Sequence, residues 1–518
     1  MKKLIDLNYK NLIRSKWFLF FYGISIFTFV FYIVILDFFN NSNLVNFMSI
    51  TLFRQMVCFV ICFFIGASEI LKSEDVELSY PISIAKMRLA KYISILCFSI
   101  FYIIIDIAFV LLSGYILKYD LAYLLNIVLD IIIIDFCFIN LAIILGLTTA
   151  SIFRSKHCYI MIGIFLYIFS PIFDKAFLYK FFSRESTIVL KNLMSVFRDN
   201  VNIYNFSSIG IVYDKCYILD KLFITFLSLL VLNVFLYIES KDKKIIFSIF
   251  LSLTLIFCSV NNYIDNFYSY HNYDNLNDKA ILEEDLEISR YDMDLKIDNT
   301  LKNKCKIEVL NKDSLKDTIS FNLDSIFNID SVKLDGLKVD YIRKNDVLIL
   351  KNINIGKNEK KDIEIDYSGN IEEIINPGIL LNFSSKNSSN FLMYLNWYPV
   401  LKIDNDIDYH IKVSHKNKLI TNLNDFKLLD KGINYINGRE KYLYISTGYF
   451  REHNILNREF ILSEETYNNE YRYMNEIEYF EDKLGKKFKK IIIAPSDNYY
   501  REDKDYLVIR EDNIWLIF

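Results

Sequence analysis

Two adjacent stretches decide how this chain is organised: IIFSIFLSLTLIFCSVN at residues 245–261, followed by NYIDNFYSYHNYDNLNDKA at residues 262–280. The first is an apolar run of the kind that crosses a bilayer, and the second is polar. Similar apolar runs recur before residue 245, whereas the later sequence alternates polar and apolar residues, as the strands of a water-exposed sheet do. The sequence therefore predicts a polytopic membrane half at about residues 1–261 and a β-rich half after it.

Composition agrees with this division. Hydrophobic residues make up 53% of the 518 residues, which is high for a soluble protein of this length. Residues 1–260 contain 23 basic and 17 acidic side chains, whereas residues 261–518 contain 36 basic and 45 acidic ones. The acidic second half argues against nucleic acid as a partner. Most of the eight cysteines lie in or beside apolar runs, so they predict no disulfide framework or metal site.

Seven segments reach or approach the roughly 20 apolar residues that a membrane-spanning helix needs. Basic residues cluster in alternate loops, and this bias places the N-terminus in the cytoplasm. An odd number of spans then puts residues 262–518 outside the cytoplasmic membrane of a bacterium. The predicted spans are residues 17–39, 49–70, 92–117, 122–150, 158–173, 222–238 and 245–261.

The loop between the second and third spans has the most specific local pattern. An acidic turn is followed by Pro81-Ile82-Ser83 and then by a short amphipathic run that ends near Lys91, with its basic residues on the polar positions. This order resembles the corresponding loop of permeases of the ATP-binding-cassette type-2 exporter family, and the resemblance extends over about residues 1–240. The residues that we single out in this loop are Glu74, Asp75, Glu77, Pro81, Lys86 and Arg88.

The resemblance implies that this loop meets an ATPase subunit. The sequence contains no Gly-x-x-x-x-Gly-Lys-[Ser/Thr] motif, so the ATPase would be a separate polypeptide. It also implies lipid as a partner and a homodimer or heterodimer with another permease. A solvated interfacial loop with no coupling role stays open as the alternative.

Three carboxylates, Asp106, Asp130 and Asp135, lie within predicted spans. A carboxylate in a bilayer is costly, so it usually faces a partner or a wet cavity. These side chains could line a route for a cationic substrate, could be protonated, or could lie near enough to the outer surface to be hydrated.

The second half shows repeated short strand patterns, typical of a mainly antiparallel β-sandwich. The strand residues 291–298, the segment Ile319–Leu323, the Trp397-Tyr398-Pro399 triplet and the Gly448-Tyr449-Phe450 triplet occur in an order that resembles the N-terminal β domain of zinc aminopeptidases of the aminopeptidase N type. The resemblance extends over about residues 288–500. It implies a β-rich domain at 288–455 and the incomplete start of a catalytic domain at 456–518, while the polar and acidic composition of residues 262–287 predicts a stalk before them.

In that last segment the pattern predicts an amphipathic helix over Tyr471–Leu484, ended by Gly485, and a strand over Lys490–Ala494. The family's zinc motif, His-Glu-x-x-His, does not occur, and the five histidines have no metal-ligand spacing. We therefore expect no catalytic site, no metal and no cofactor in this chain. The apolar ending Ile514–Phe518 could dock on another part of this protein or be covered by a partner, and a reading frame cut short before a zinc site is the interpretation we favour.

The sequence as a whole predicts the permease subunit of an ABC-type exporter with an outward-facing, catalytically incomplete aminopeptidase-like domain. Two alternatives remain open. One is a membrane-anchored ectodomain that binds peptide or acts as a scaffold, and the other is a truncated, inactive metallopeptidase.

Overall fold

The computed structural model describes residues 1–16, 20, 22–23, 26–27, 30, 44–72, 82–116, 118–169, 184–194, 196, 206–207, 210–211, 215–271, 286–375, 379–391, 396–401, 405–464, 473–494, 499–501 and 503–510. The chain forms two compact units. The first consists of Met1–Ile203 with Asp214–Phe267, and the second of Tyr204–Tyr213 with Tyr268–Phe518.

The first unit is helical. Its helices, with the one that leads out of it, are α1 (Lys2–Arg14), α2 (Leu44–Leu71), α3 (Ile84–Ile116), α4 (Leu121–Phe153), α5 (Met161–Phe169), α6 (Arg184–Met194), α7 (Lys215–Ser240) and α8 (Lys244–His271). Among the described residues, five stretches are long and apolar enough to cross a membrane: Arg54–Leu71, Ile84–Ile116, Leu121–Phe153, Tyr217–Ser240 and Lys244–Ile264.

These five apolar helices lie at five of the seven predicted spans. The predicted span at 17–39 lies largely outside the described residues. The predicted span at 158–173 coincides with a shorter apolar helix, Lys156–Phe169, and residues 170–173 lie outside the described part of the chain. At 1.5 Å per residue, a helix of that length covers only about 21 Å of a hydrocarbon core about 30 Å thick.

Helices α2 and α4 pack closely because each presents a glycine to the other. A Cβ atom on Gly66 would lie 2.9 Å from the carbonyl oxygen of Ile143, and one on Gly146 would lie 2.3 Å from that of Phe63. Small residues at such a crossing let two backbones approach, which is a common packing device in membranes.

Two local features differ from the sequence prediction. The predicted amphipathic run before Lys91 is the first part of α3 itself, where Lys86 is exposed but Arg88 and Lys91 are buried. The Nζ of Lys91 donates to the carbonyl oxygen of Glu69, 2.5 Å away, near the C-terminal end of α2. A basic side chain is favourable there because terminal helix carbonyls lack partners and hold partial negative charge.

The second difference concerns the predicted stalk. Helix α8 does not end near Asn261 but continues to His271, and the first long strand begins at Leu286. The side-chain amide of Asn262 donates to the carbonyl oxygen of Cys258, 2.8 Å away, so this polar residue is accommodated within the helix. Residues 272–285 lie outside the described part.

The second unit is built mainly of β-strands. A short pair, β1 (Phe206–Ser207) and β2 (Gly210–Ile211), comes first. The others are β3 (Leu286–Ile297), β4 (Leu301–Asn311), β5 (Lys316–Asn322), β6 (Asn328–Leu334), β7 (Leu337–Lys338), β8 (Tyr341–Lys344), β9 (Val347–Ile355), β10 (Lys360–Gly369), β11 (Glu372–Ile375), β12 (Ile379–Ser384), β13 (Ser389–Phe391), β14 (Ile407–His415), β15 (Lys418–Thr421), β16 (Gly432–Glu440), β17 (Ile445–Gly448), β18 (Phe450–Ile455), β19 (Arg458–Ser463), β20 (Lys490–Ala494), β21 (Tyr499–Tyr500) and β22 (Tyr506–Arg510).

The strands form several mostly antiparallel sheets. The largest has seven strands in the order β16-β14-β3-β4-β10-β6-β7, and β14 pairs with β3 in parallel. A three-stranded sheet has the order β5-β9-β8, and a five-stranded sheet has the order β11-β12-β13-β17-β15. Inward residues of these three sheets share one hydrophobic core around Trp397 and Tyr398. Alternate side chains of β3 and β4 face this core, as the period of two in their sequence requires.

The last segment forms a second five-stranded sheet, in the order β18-β19-β20-β22-β21, with helix α9 (Met474–Leu484) between β19 and β20. Because β19 and β20 pair in parallel, this part is a strand–helix–strand unit. The predicted helix and strand are both present, and Gly485 ends α9 in the left-handed region with φ of 61°. Arg501 joins this sheet to the rest of the unit, since it donates to Glu440 at 2.7 Å and to Asp406 at 3.2 Å.

Candidate functional site: a buried charge cluster in the helical unit

Charged side chains meet inside the helical unit where α2, α3 and α4 lie side by side. Arg54 of α2 and Asp106 of α3 form an ion pair, with 2.5 Å between the guanidinium Nη2 and the carboxylate Oδ1. Their side chains are only 1% and 3% exposed. The guanidinium also lies over the ring of Tyr102, with its Cζ 5.3 Å from the ring centre. Two opposite charges and an aromatic face thus offset part of the cost of burying each group.

A second carboxylate belongs to the same cluster. Asp135 of α4 is 1% exposed, and its Oδ1 accepts a hydrogen bond from the Nε2 of Gln55, 3.3 Å away. The charges of both Arg54 and Asp106 act on the Asp135 carboxylate. We call Arg54, Gln55, Tyr102, Asp106 and Asp135 the charge cluster.

Buried thiols continue from the charge cluster along α2. The Sγ atoms of Cys58 and Cys62 are 3.9 Å apart, one helical turn from each other, and Cys62 lies 3.6 Å from the hydroxyl of Ser99 on α3. Both cysteines are free and buried. Buried polar side chains therefore extend for more than one helical turn between α2 and α3.

The three carboxylates singled out in the sequence do not form one group. Asp106 and Asp135 come together around Arg54, whereas Asp130 accepts a hydrogen bond from the hydroxyl of Tyr217 on α7, 2.5 Å away. Asp130 therefore links α4 to α7 rather than joining the charge cluster.

Sequence reasoning missed Arg54, Gln55 and Tyr102 as partners. A signal was present for Arg54, because an arginine within the apolar run at 49–70 needs a buried counter-charge. Its partner is 52 positions away and lies on another helix, so sequence spacing does not identify it.

The loop that is predicted to meet an ATPase subunit, between α2 and α3, is only partly described by the structure. We call it the coupling loop. Glu74, Asp75, Glu77 and Pro81 lie outside the described residues. Lys86 is exposed at the start of α3, and Arg88 is buried. Among the loop residues singled out, Lys86 is therefore the one that the structure shows to be available to a partner.

The histidines do not converge on a metal site. Among the described residues, no group of three or more His, Cys, Asp or Glu side chains is placed to hold a metal ion. His410 and His415 point to opposite faces of β14, as the alternation of the strand requires. His415 is buried, and its ring contacts the carbonyl oxygen of Asn417 and the amide of Asn434.

Comparison with known proteins gives only distant structural similarity. No protein-family model and no curated protein matches the sequence. A solved structure of an M1 zinc metallopeptidase from Deinococcus radiodurans aligns with 44% of this chain at 12% identity and a TM-score of 0.33. Native leukotriene A4 hydrolase from Saccharomyces cerevisiae aligns with 44% at 11% identity and a TM-score of 0.30. This chain covers 61% of the first protein and 41% of the second, and such TM-scores assign neither a fold nor an activity to it.

Proposed function

We propose that the chain is the permease subunit of an ABC-type exporter in a bacterial cytoplasmic membrane, with a separate ATPase bound at the loop between α2 and α3. The observation that supports this most is the charge cluster. A protein held in a membrane only as an anchor has no need of an arginine and two carboxylates buried among its helices. Ionisable residues inside membrane helices usually mark substrate pathways, proton relays or moving elements.

The charge cluster also supports a mechanism. It joins α2 to α3 through the ion pair of Arg54 with Asp106, and α2 to α4 through the hydrogen bond from Gln55 to Asp135. In this mechanism a small displacement of these helices changes which of the two carboxylates pairs with Arg54. A network with two discrete pairings can act as a two-state element, and ATP-driven motion at the loop would bias it. In this proposal the cluster rearranges as the cargo route changes from inward-facing to outward-facing.

For the second unit we propose an outward-facing position and no catalysis of its own. Two features of the sequence support this proposal. The order of its strand patterns resembles the N-terminal domain of the aminopeptidases, and the given sequence contains no His-Glu-x-x-His motif. Such a β domain would bind peptide or gate the route to the outside, an idea that uses analogy of fold and not a site geometry.

Site-specific photo-crosslinking in native membranes tests the permease proposal. A photo-crosslinking residue at Lys86, which is exposed at the start of α3, is expected to capture a second polypeptide that contains a P-loop. The matched control is Tyr115, which is 81% exposed near the other end of the same helix, about 44 Å away at 1.5 Å per residue. We expect no P-loop protein there. Equal capture from both positions, or none from Lys86, would instead favour a membrane-anchored ectodomain.

A further inference from the structure

The charge cluster has an unequal number of charges. Arg54 supplies one positive charge, while Asp106 and Asp135 supply two carboxylates. Arg54 makes its ion pair with Asp106, at 2.5 Å, and Asp135 receives its hydrogen bond from the neutral amide of Gln55. If both carboxylates were ionised, one negative charge would stay buried without a direct ion pair, which is strongly unfavourable in a protein interior.

The two carboxylate oxygens of Asp135 differ in their hydrogen bonding. Its Oδ1 accepts the hydrogen bond from Gln55, whereas its Oδ2 is buried and has no hydrogen-bond partner among the described residues. A bare carboxylate oxygen in that position pays its full desolvation cost. A neutral carboxyl group with its hydroxyl at Oδ2 pays far less, and its carbonyl oxygen at Oδ1 still accepts from Gln55.

Within the described part of the chain, the other groups facing Asp135 do not supply a second positive charge. Helix α2 contributes Arg54, Gln55 and the thiol of Cys58, and α3 contributes Tyr102 and Asp106. On α4 itself, the thiol of Cys137 is the titratable group on which the charge of Asp135 acts. Lys221 of α7 acts on Cys137, and this lysine forms an ion pair of its own with Asp220 at 2.6 Å.

We propose that Asp135 is a proton-binding site, which binds one proton at Oδ2 in the conformation seen here. The step forms one O–H bond on the carboxylate, with the proton taken from water, and releases the proton to water when Asp135 becomes hydrated. Rearrangement of Arg54 from Asp106 towards Asp135 would favour the release. That the proton is exchanged during transport rests on the permease function proposed above, whereas binding of the proton does not.

Infrared spectroscopy of the full-length protein in liposomes tests the proposal without a transport assay. A protonated carboxyl group absorbs in a region separate from carboxylate and amide bands. We expect the wild-type protein at neutral pH to show such a band, Asp135→Asn to lose it, and the matched Asp130→Asn variant to retain it. The side-chain amide oxygen introduced by Asp135→Asn would still accept the hydrogen bond from Gln55, so this variant is also expected to unfold at the same temperature as wild type or higher.

Three outcomes would overturn the proposal. The band could be absent from the wild-type protein at neutral pH, it could persist in Asp135→Asn, or it could arise only when Na⁺ is removed, which would assign the site to a metal cation. Because none of these measurements uses an ATPase or a cargo, failure here and failure of the permease proposal are distinguishable.

Discussion

Arg54 is the one positive charge of the charge cluster. It pairs with Asp106, lies over the ring of Tyr102 and acts on Asp135. The sequence shows that this arginine interrupts an apolar run, so its need for a buried counter-charge could be predicted. The identity of its partners follows from the packing of three helices, which no spacing within the sequence specifies.

Removal of one member of this ion pair should be far more damaging than removal of both. We expect Arg54→Met to lower the free energy of unfolding by about 3–5 kcal/mol, because it leaves the carboxylate of Asp106 buried without its ion-pair partner. The double variant Arg54→Met with Asp106→Leu should recover most of this loss. Thermal unfolding in detergent measures both variants. Lys10→Gln is the control, since it breaks an exposed pair with Asp6 and should leave the unfolding temperature unchanged.

His415 gives the β-rich unit a dependence on pH. Its side chain is 5% exposed, and burial lowers the pKa of the imidazole below its usual value of 6.5, although the contact with the carbonyl oxygen of Asn417 opposes this. The folded state therefore holds the neutral ring, while the unfolded chain binds the proton more readily. The stability that this residue contributes is present above pH 6.5 and is lost as the pH falls through the lowered pKa.

We expect the unfolding temperature of the wild-type protein to fall more steeply below pH 6.5 than that of His415→Gln. The difference in unfolding free energy between the two should change by at most about 1.4 kcal/mol per pH unit, the limit for one proton. His410→Gln is the matched control, because His410 is on the same strand but faces outward. Parallel pH profiles for wild type and His415→Gln would contradict this assignment.

At the scale of elements, the sequence was most informative where the local pattern alone decides the structure. Helix α9, its end at Gly485 and strand β20 all lie close to their predicted positions, because an amphipathic period and a left-handed glycine specify them locally. The parallel pairing of β3 with β14 joins segments more than 100 residues apart, and their own sequences contain no signal for it. The same limit applies to the contact between Gly66 and Gly146, since the sequence shows two glycines in two apolar helices but not that they face each other.

The close contact of α2 with α4 requires a residue without a Cβ atom at Gly146. We expect Gly146→Ala to lower the free energy of unfolding by about 1–3 kcal/mol, because its Cβ would lie 2.3 Å from the backbone oxygen of Phe63 and must push the helices apart. Gly163→Ala on α5 is the control. Nothing lies within 4 Å of a Cβ at that position, so the change should be neutral or raise stability by about 0.4–1 kcal/mol. If both substitutions shift the unfolding temperature equally, the two helices do not cross at these glycines.

At the scale of the whole molecule, composition predicted the division into a helical and a β-rich part, and five of the predicted spans are present. The hydrophobicity of a segment reflects whether it faces lipid or water. The change from apolar runs to alternating sequence can therefore be recognised without knowing which segments contact each other. Function is less accessible to the same reasoning. The charge cluster forms only after folding, and the acidic residues of the coupling loop lie outside the described part of the chain.

The permease account depends most directly on a separate ATPase, so the decisive measurement is affinity purification of the tagged full-length protein from its native membranes under mild detergent. The account predicts a stoichiometric ABC-type ATPase in the eluate, and its loss when Glu74, Asp75 and Glu77 are all changed to Lys. A triple change of Lys241, Lys243 and Lys244 to Glu, between α7 and the first residue of α8, is the matched charge-reversal control and should leave most of the ATPase bound. A protein that purifies without any ATPase from membranes in which its helical unit is folded would contradict the account.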